Sequence, residues 1–106
     1  MATKAVQSKQ EVMEVLLNNS AELRRLGVDD IRLFGSFARG NPSIDSDVDL
    51  LVAFRPGQKT FDQFMALVFF LEDLLGRPVE LVTRESLSPY LGPHILASSE
   101  NVPLAA

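Results

Sequence analysis

Two aspartates separated by a single residue, Asp47 and Asp49, are the side chains in this sequence that most directly suggest chemistry. They belong to a run of strand-forming residues, so both carboxylates leave the same face of the strand, with Cα atoms about 6–7 Å apart. Carboxylates this close repel each other unless a cation joins them. Because the 106 residues include no Cys and one His, the fitting cation is hard and binds oxygen, as Mg²⁺ and Mn²⁺ do. Such ions also bind phosphate oxygens, so the pair indicates a phosphorylated ligand.

Gly35 and Ser36 mark a second informative place, where a run of strand formers ends and a brief helical turn over 37–39 begins. At such a junction the backbone N–H groups and the Ser hydroxyl can point outward to an anion, and glycine lets the anion approach the backbone closely. Arg39, in the same turn, either balances phosphate charge or forms an ion pair with Asp45. The sequence is consistent with both interpretations of Arg39.

Glu80 is the remaining acidic residue inside a strand pattern, between Val79 and Leu81. An acidic side chain there is hard to bury without a partner. If the third strand lies beside the second, Glu80 joins Asp47 and Asp49. Three carboxylates on one sheet face, together with an anion site, suit two-metal phosphoryl transfer, in which paired ions bind the attacking and leaving oxygens. One of the carboxylates can also take the proton of the attacking hydroxyl.

The elements that position these residues follow from hydrophobic spacing and from turn residues. We predict, in chain order, a helix over 8–26, strands over 31–34 and 47–54, a helix over 60–75, a strand over 79–83 and a last helix from residue 88. The poor helix formers at 18–20 can break the first helix, with Ser20 capping the second piece. This order predicts an α/β (α+β) domain with a small mixed sheet of three to four strands flanked by helices. We expect one domain over 1–106, with its core at about 8–98 and a loose C-terminal tail.

Charge and composition exclude several classes of protein. Lys and Arg total 10 and Asp and Glu total 14, a formal charge of -4. Nonspecific binding to nucleic acid needs clustered positive charge, so direct nucleic-acid binding is not expected. The absence of Cys excludes disulfides, thiolate zinc sites and Cys nucleophiles.

The sequence also indicates where the protein works. Residues 1–10 contain no apolar stretch of the kind found in secretory signals, so we expect a cytoplasmic protein. The longest apolar run, Phe64 to Leu71, is much shorter than the roughly 20 residues of a membrane-spanning helix, and we expect no membrane insertion. Its apolar residues cover every side of a helix, so one flank is suited to a partner chain.

Together, these residues resemble the signature of the minimal nucleotidyltransferases of the DNA polymerase β superfamily, the MNT domains. That signature is Gly-Ser, ten residues, then Asp-x-Asp. Here Gly35-Ser36 precedes the ten residues from Phe37 to Ser46, and Asp47-Val-Asp49 follows. The wider phrases Leu-Phe-Gly-Ser-Phe-Ala-Arg-Gly and Ser-Asp-Val-Asp-Leu-Leu-Val are also typical, and the resemblance covers most of residues 10–98. It implies a polymerase β-like nucleotidyltransferase fold.

The resemblance also implies a role for each residue of the motif. The pair Gly35-Ser36 would hold the triphosphate of ATP or another NTP, and Arg39 would line the phosphate site. Asp47 and Asp49 would bind two Mg²⁺ ions, or Mn²⁺. Glu80 would be the third acid, a metal ligand or a catalytic base, at a position where the family usually has Asp.

Small proteins of this kind resemble the antitoxin half of toxin-antitoxin pairs, whose partner is commonly a helical HEPN ribonuclease. The resemblance implies Mg²⁺-dependent transfer of AMP from ATP to a Tyr hydroxyl of that toxin. The alternative is a binding module that neutralises its partner by covering it, with a nucleotide site that is residual or regulatory. A homo-oligomer is a further assembly that the sequence leaves open.

Overall fold

The structure is a computed structural model that describes residues 5–104. Residues 1–4 and 105–106 lie outside the described residues. They include both ends of the predicted 1–106 domain and the beginning of the 1–10 segment, which has no secretory-signal pattern. Within 5–104, the helices α1 to α5 span Lys9–Asn18, Ser20–Arg25, Gly35–Arg39, Phe61–Leu75 and Gly92–Ser98. The strands β1 to β4 span Val28–Phe34, Val48–Phe54, Val79–Thr83 and Glu100–Asn101, and a 3₁₀ turn covers Arg84–Ser86. No helix in this part of the chain is both long and apolar enough to cross a membrane.

The strands form one mixed sheet in the order β3-β2-β1-β4. β1 is antiparallel to both β2 and β4, and β2 is parallel to β3. The register places Asp49 of β2 between Phe34 of β1 and Glu80 of β3. The predicted α/β domain with a small mixed sheet is therefore confirmed, the third predicted strand lies beside the second, and β4 is the additional edge strand.

The hydrophobic core lies between one face of this sheet and the helices. α1, α2 and α4 contribute fully buried residues at helical spacing: Val12, Leu16, Leu23, Leu67, Leu71 and Leu75. On β2, Val48 and Leu50 are buried in the same core. Since neighbouring side chains of a strand point to opposite faces, Asp49 faces away from the core.

The first predicted helix is two helices, and it breaks at the poor helix formers. Asn19 separates α1 from α2, and its side-chain amide donates to the carbonyl of Val15 instead of continuing the helix (2.8 Å). Ser20 is the first residue of α2 rather than its cap, because its hydroxyl donates backward to the Leu17 carbonyl (2.7 Å). Local side-chain bonds of this kind compete with helical ones and end a helix.

The predicted loose tail after Ser98 is wrong for the part of the tail that the structure describes. Residues 100–101 form β4, which pairs with Arg32 and Leu33 of β1. Val102 donates its N–H to the Ile31 carbonyl (3.0 Å) and is only 2% exposed. The physical reason is that β1 would otherwise present unpaired N–H and C=O groups along its outer edge, which the tail satisfies.

The last helix begins later than predicted. The Ser88 hydroxyl accepts the N–H of Leu91 (2.9 Å), which makes a turn, and α5 itself starts at Gly92. The α4 helix agrees with its prediction over 60–75, with the Thr60 hydroxyl capping its first turn and a left-handed Gly76 ending it.

Candidate active site

The chain turns sharply from β1 into α3 at Gly35. The helical turn predicted over 37–39 extends back to Gly35, and its N-cap, Phe34, makes no side-chain cap hydrogen bond. The N–H groups in the first turn of an α-helix have no partner within the helix. The Ser36 hydroxyl also makes no hydrogen bond within residues 5–104. Backbone and hydroxyl donors at this junction are therefore available to an anion.

Gly35 lies against Asp49. Its φ is +74°, a left-handed conformation that side chains rarely adopt, and a Cβ atom at Gly35 would overlap Oδ2 of Asp49 and lie 2.8 Å from its Cγ. The backbone of the Gly-Ser turn and the carboxylate of β2 thus pack with no room for a methyl group between them. Glycine is required here by both the backbone angle and the contact.

Asp49 also faces the predicted third acid. Glu80 is its register partner on the parallel neighbour β3, and the Glu80 side chain is exposed to solvent rather than buried. Asp47 is exposed and lies just before β2, which begins at Val48 rather than at the predicted residue 47. The structure therefore brings Asp49 and Glu80 together on one sheet face, and Asp47 flanks them from the preceding loop.

The pKa of Asp49 reflects these neighbours. The pKa of Asp49 is raised from 3.8 to about 6, first by burial, then by a side-chain hydrogen bond with Glu80 and by the negative charges of Glu80 and Asp47. Two carboxyl groups share such a bond only when one holds a proton. The positive charge of Arg39 acts in the opposite direction and lowers this pKa.

Arg39 is exposed at the end of α3, where the two interpretations of its role can be compared. The ion pairs of the described chain do not include one between Arg39 and Asp45. Arg39 acts electrostatically on Asp49 instead. This position, beside the uncapped turn at Gly35, is compatible with the predicted role at a phosphate site.

The donor set at this site fits a hard divalent cation in part. Asp47, Asp49 and Glu80 offer only oxygen atoms. Their mutual repulsion, which after burial and the hydrogen bond with Glu80 contributes to the raised pKa of Asp49, is what a cation would relieve. Among residues 5–104, no group of three or more Asp, Glu, His or Cys side chains is placed so that it could hold a metal ion. Mg²⁺ commonly takes one or two carboxylates and completes its shell with water and substrate phosphate, so two carboxylates suffice.

The raised pKa predicts how the stability of the domain depends on pH. Because the folded-state pKa of Asp49 lies above its ordinary value, the free energy of unfolding falls as pH rises from about 4 to about 6. The substitution Asp49→Asn removes this loss. Without metal at about pH 8, we expect Asp49→Asn to increase the free energy of unfolding by about 1 kcal/mol, a figure that allows for solvent screening. This corresponds to an increase of about 4–8 °C in melting temperature.

Thermal unfolding followed by circular dichroism, with a chelator present, measures this difference. Near pH 4 the two proteins should melt together, because Asp49 is largely protonated in the folded wild type. Equal melting temperatures at about pH 8 would contradict the electrostatic account of Asp49.

Arg77, which the sequence patterns do not single out, lies beneath the loop that leads to Asp47. Arg77 is 7% exposed, and its guanidinium lies 4.9 Å from the centre of the Phe37 ring. A cavity of about 260 Å³ lies against the same loop, and none of Asp47, Asp49 and Glu80 lines it. Its lining comprises Ala5, Gln7, Ile44, Asp45, Ser46, Gly76, Arg77 and Pro78. Nothing in the local pattern separates a buried Arg from an exposed one, so only the packing reveals it.

Comparison with known proteins places these features in context. The family model described as a nucleotidyltransferase domain matches residues 16–100. Protein adenylyltransferase MntA of Thermococcus cleftensis is 39% identical over 93 residues, which cover 87% of this chain and 93% of that protein.

Solved structures show the same fold. A structure provisionally described as a minimal nucleotidyltransferase superposes with a TM-score of 0.79 at 35% identity and covers 95% of this chain and 100% of that chain. A chain from the tri-AMPylated Shewanella oneidensis HEPN toxin in complex with MNT antitoxin has a TM-score of 0.64 at 20% identity. That alignment covers 92% of this chain and 73% of the other, and at such identity it shows the fold alone.

Proposed function

This chain belongs to the nucleotidyltransferase domain family, and from that premise we propose that it transfers AMP from ATP to a hydroxyl of a partner protein, a HEPN-type toxin. The observation that carries the proposal is the placement of Asp49 directly against Gly35 of the Gly-Ser turn and beside Glu80. A phosphate held at the turn would lie next to the carboxylates. The name of the Thermococcus relative supports adenylyl transfer to protein as the reaction.

Each residue of the site has a task in this proposal. The free donors of Gly35 and Ser36 bind the triphosphate, and Arg39 balances its charge. Asp47 and Asp49 would hold Mg²⁺. When bound, that metal supplies Lewis-acid stabilisation of negative charge on the phosphate oxygens.

The reaction balances as a substitution at phosphorus. The oxygen of the acceptor hydroxyl forms a bond to the α-phosphorus, the bond from that phosphorus to the bridging oxygen breaks, and pyrophosphate leaves. Glu80 takes the proton of the hydroxyl, because its exposed carboxylate stands beside Asp49 at the open face of the sheet. The acceptor can reach Glu80 because this side chain is exposed and the helical core lies on the other face of the sheet.

A protein partner is supported by the surface as well as by the fold. Large apolar side chains are exposed on α4 and on the segment before α5, with Phe61 77%, Phe69 63%, Tyr90 83% and Leu91 63% accessible. The fold is shared with one chain of a complex between a HEPN toxin and an MNT antitoxin. In that complex the toxin carries AMP groups. These observations favour a HEPN toxin as the acceptor.

Transfer of label from ATP carrying ³²P at the α-phosphate tests the proposal. Wild-type protein with Mg²⁺ should label one protein in a lysate of the source cell, and the double variant Asp47→Asn/Asp49→Asn should label none. The mass of the labelled band then identifies the acceptor. If no band forms while both proteins retain the same co-purifying partner, the domain acts by binding alone, as its exposed apolar residues also permit.

Glu80→Gln tests the third acid. The amide cannot accept the hydroxyl proton, so we expect the transfer rate to fall by about 100-fold. The melting temperature should not decrease, because Glu80 is exposed and stabilises nothing in the core. Glu85→Gln is the matched control, since Glu85 is also exposed and forms its ion pair with Lys59 at the surface, away from the carboxylates of the site. An unchanged rate in Glu80→Gln would remove Glu80 from the site.

A further inference from the structure

We infer that Arg77 is a positioning residue that holds the loop before Asp47 in place and so sets the spacing between the Gly-Ser turn and the acidic residues. The inference deepens the proposed function and rests on it for its kinetic part. It is carried by the hydrogen bonds of a buried guanidinium.

The first step is the unusual environment of Arg77. The side chain is 7% exposed, yet none of the ion pairs of the described chain includes it. A charged group without a carboxylate partner is costly to bury unless hydrogen bonds replace its water. Its Nε donates to the carbonyl of Val6 (2.6 Å), and one terminal nitrogen donates to three further carbonyls.

The second step is where those three carbonyls lie. They belong to Ser43, Ile44 and Ser46, at 3.0, 3.2 and 3.0 Å from the nitrogen. Ser46 immediately precedes Asp47, so the last carbonyl before the acidic residue is fixed by Arg77. The planar guanidinium, with several donors in a rigid arrangement, is suited to holding several backbone oxygens at once.

The third step is that the same segment fixes the other side of Asp47. Pro78, which follows Arg77, accepts the N–H of Val48 at its carbonyl (3.0 Å). Asp47 therefore lies between two anchored residues, although its own side chain is exposed and it lies outside β2. The guanidinium also lies over the ring of Phe37, which follows the Gly-Ser pair directly.

The fourth step is that the connection from α4 to β3 does not itself need Arg. Gly76 supplies the left-handed residue that ends the helix, and Pro78 restricts the chain just before β3. An apolar side chain of similar length at position 77 would be cheaper to bury than a charge. The charged residue is therefore explained by what it holds, the loop at 43–46.

The test compares Arg77→Met, which keeps the length of the side chain and removes its donors, with Arg77→Lys, which keeps the charge but not the planar set of donors. Arg84→Met is the matched control, because Arg84 makes an ion pair with Asp30 at the surface. Hydrogen exchange of the protein without nucleotide gives a readout that does not depend on any activity.

In Arg77→Met we expect the amides of Ser46 and Val48 to exchange about 10-fold faster, while the amides between β1 and β2 keep their protection. In the transfer assay we expect kcat to fall by about 10- to 100-fold with the KM for ATP changed by less than about twofold, since misplacement affects the reacting geometry. Arg77→Lys should show smaller changes in the same direction, and Arg84→Met should match the wild type.

Three results would overturn the inference. One is unchanged exchange at Ser46 and Val48 in folded Arg77→Met, which shows that the loop does not depend on the guanidinium. Another is faster exchange with an unchanged kcat, which shows that the loop does not position the reaction. The third is unfolding of both variants, which makes Arg77 a determinant of folding. If the wild type transfers no label, the proposed function fails while the exchange data still decide whether Arg77 holds the loop.

Discussion

Asp49→Asn is expected to reduce nucleotidyl transfer about 1000-fold, equivalent to about 4 kcal/mol of transition-state stabilisation. Asp49 is the carboxylate that contacts the Gly-Ser turn, faces Glu80 and is repelled by Asp47. Its negative charge therefore destabilises the folded domain. The amide keeps the shape of the side chain but cannot bind Mg²⁺ with a negative charge. Steady-state transfer of labelled AMP to the acceptor protein measures the loss.

The same substitution is expected to stabilise the domain, and this separates a loss of chemistry from a loss of folding. A protein that melts higher and transfers more slowly has lost a functional group rather than its structure. Asp45→Asn is the matched control, because Asp45 is an exposed acid in the loop that precedes β2 and lies outside the carboxylate cluster. A loss in Asp49→Asn of less than about 10-fold would contradict the assignment of Asp49 as a metal-binding residue.

Gly35→Ala is expected to lower transfer by about 100-fold, because the new methyl group must displace Asp49 or shift the Gly-Ser turn. A displacement of about 1 Å at reacting groups is sufficient for a loss of this size. The left-handed backbone of Gly35 adds a strain of about 1–2 kcal/mol, so the variant should also melt at a lower temperature. Transfer kinetics at a temperature where the variant is fully folded measure the activity loss alone.

Gly57→Ala separates backbone strain from the contact with Asp49. Gly57 has a φ of +80°, close to the +74° of Gly35, but a Cβ atom at Gly57 meets nothing within 4 Å. Both variants should therefore carry similar backbone strain, whereas only Gly35→Ala also clashes with Asp49 and should lose most of its activity. Equal activity losses in the two variants would show that strain, and not the packing of Gly35 on Asp49, explains the result.

The regular elements could be predicted from sequence where local signals agree. α4 has apolar residues at helical spacing, a Thr60 cap and a Gly76 end, so its bounds were predictable. β1 begins at Val28, earlier than expected, because Asp29 and Asp30 interrupt the apolar pattern near a register shift in the pairing with β2. β4 had no local signal, since Glu100 and Asn101 are poor strand formers that pair only because β1 offers an edge.

The candidate site also has a part that could be predicted from the sequence and a part that could not. Strand order could predict that Asp49 and Glu80 meet on a sheet face, as their register shows. Strand spacing also predicts Asp47 on that face, but β2 begins at Val48 and Asp47 lies in the loop before it. The sequence could not predict that Gly35 packs directly on Asp49 or that Arg77 lies under the loop. Those contacts join residues far apart in the chain and depend on side-chain packing, which leaves no periodic pattern in the sequence.

The pairing of β4 with β1 has a consequence during protein synthesis. The outer edge of β1, at Leu33, has no partner until Glu100 has been made, 67 residues later by their positions in the chain. At about 5–20 residues per second, a ribosome needs roughly 3–14 s for that length. During this interval the nascent chain carries an open strand edge that can pair with other chains. Chaperone binding or rapid translation of this stretch would therefore protect the yield of folded protein.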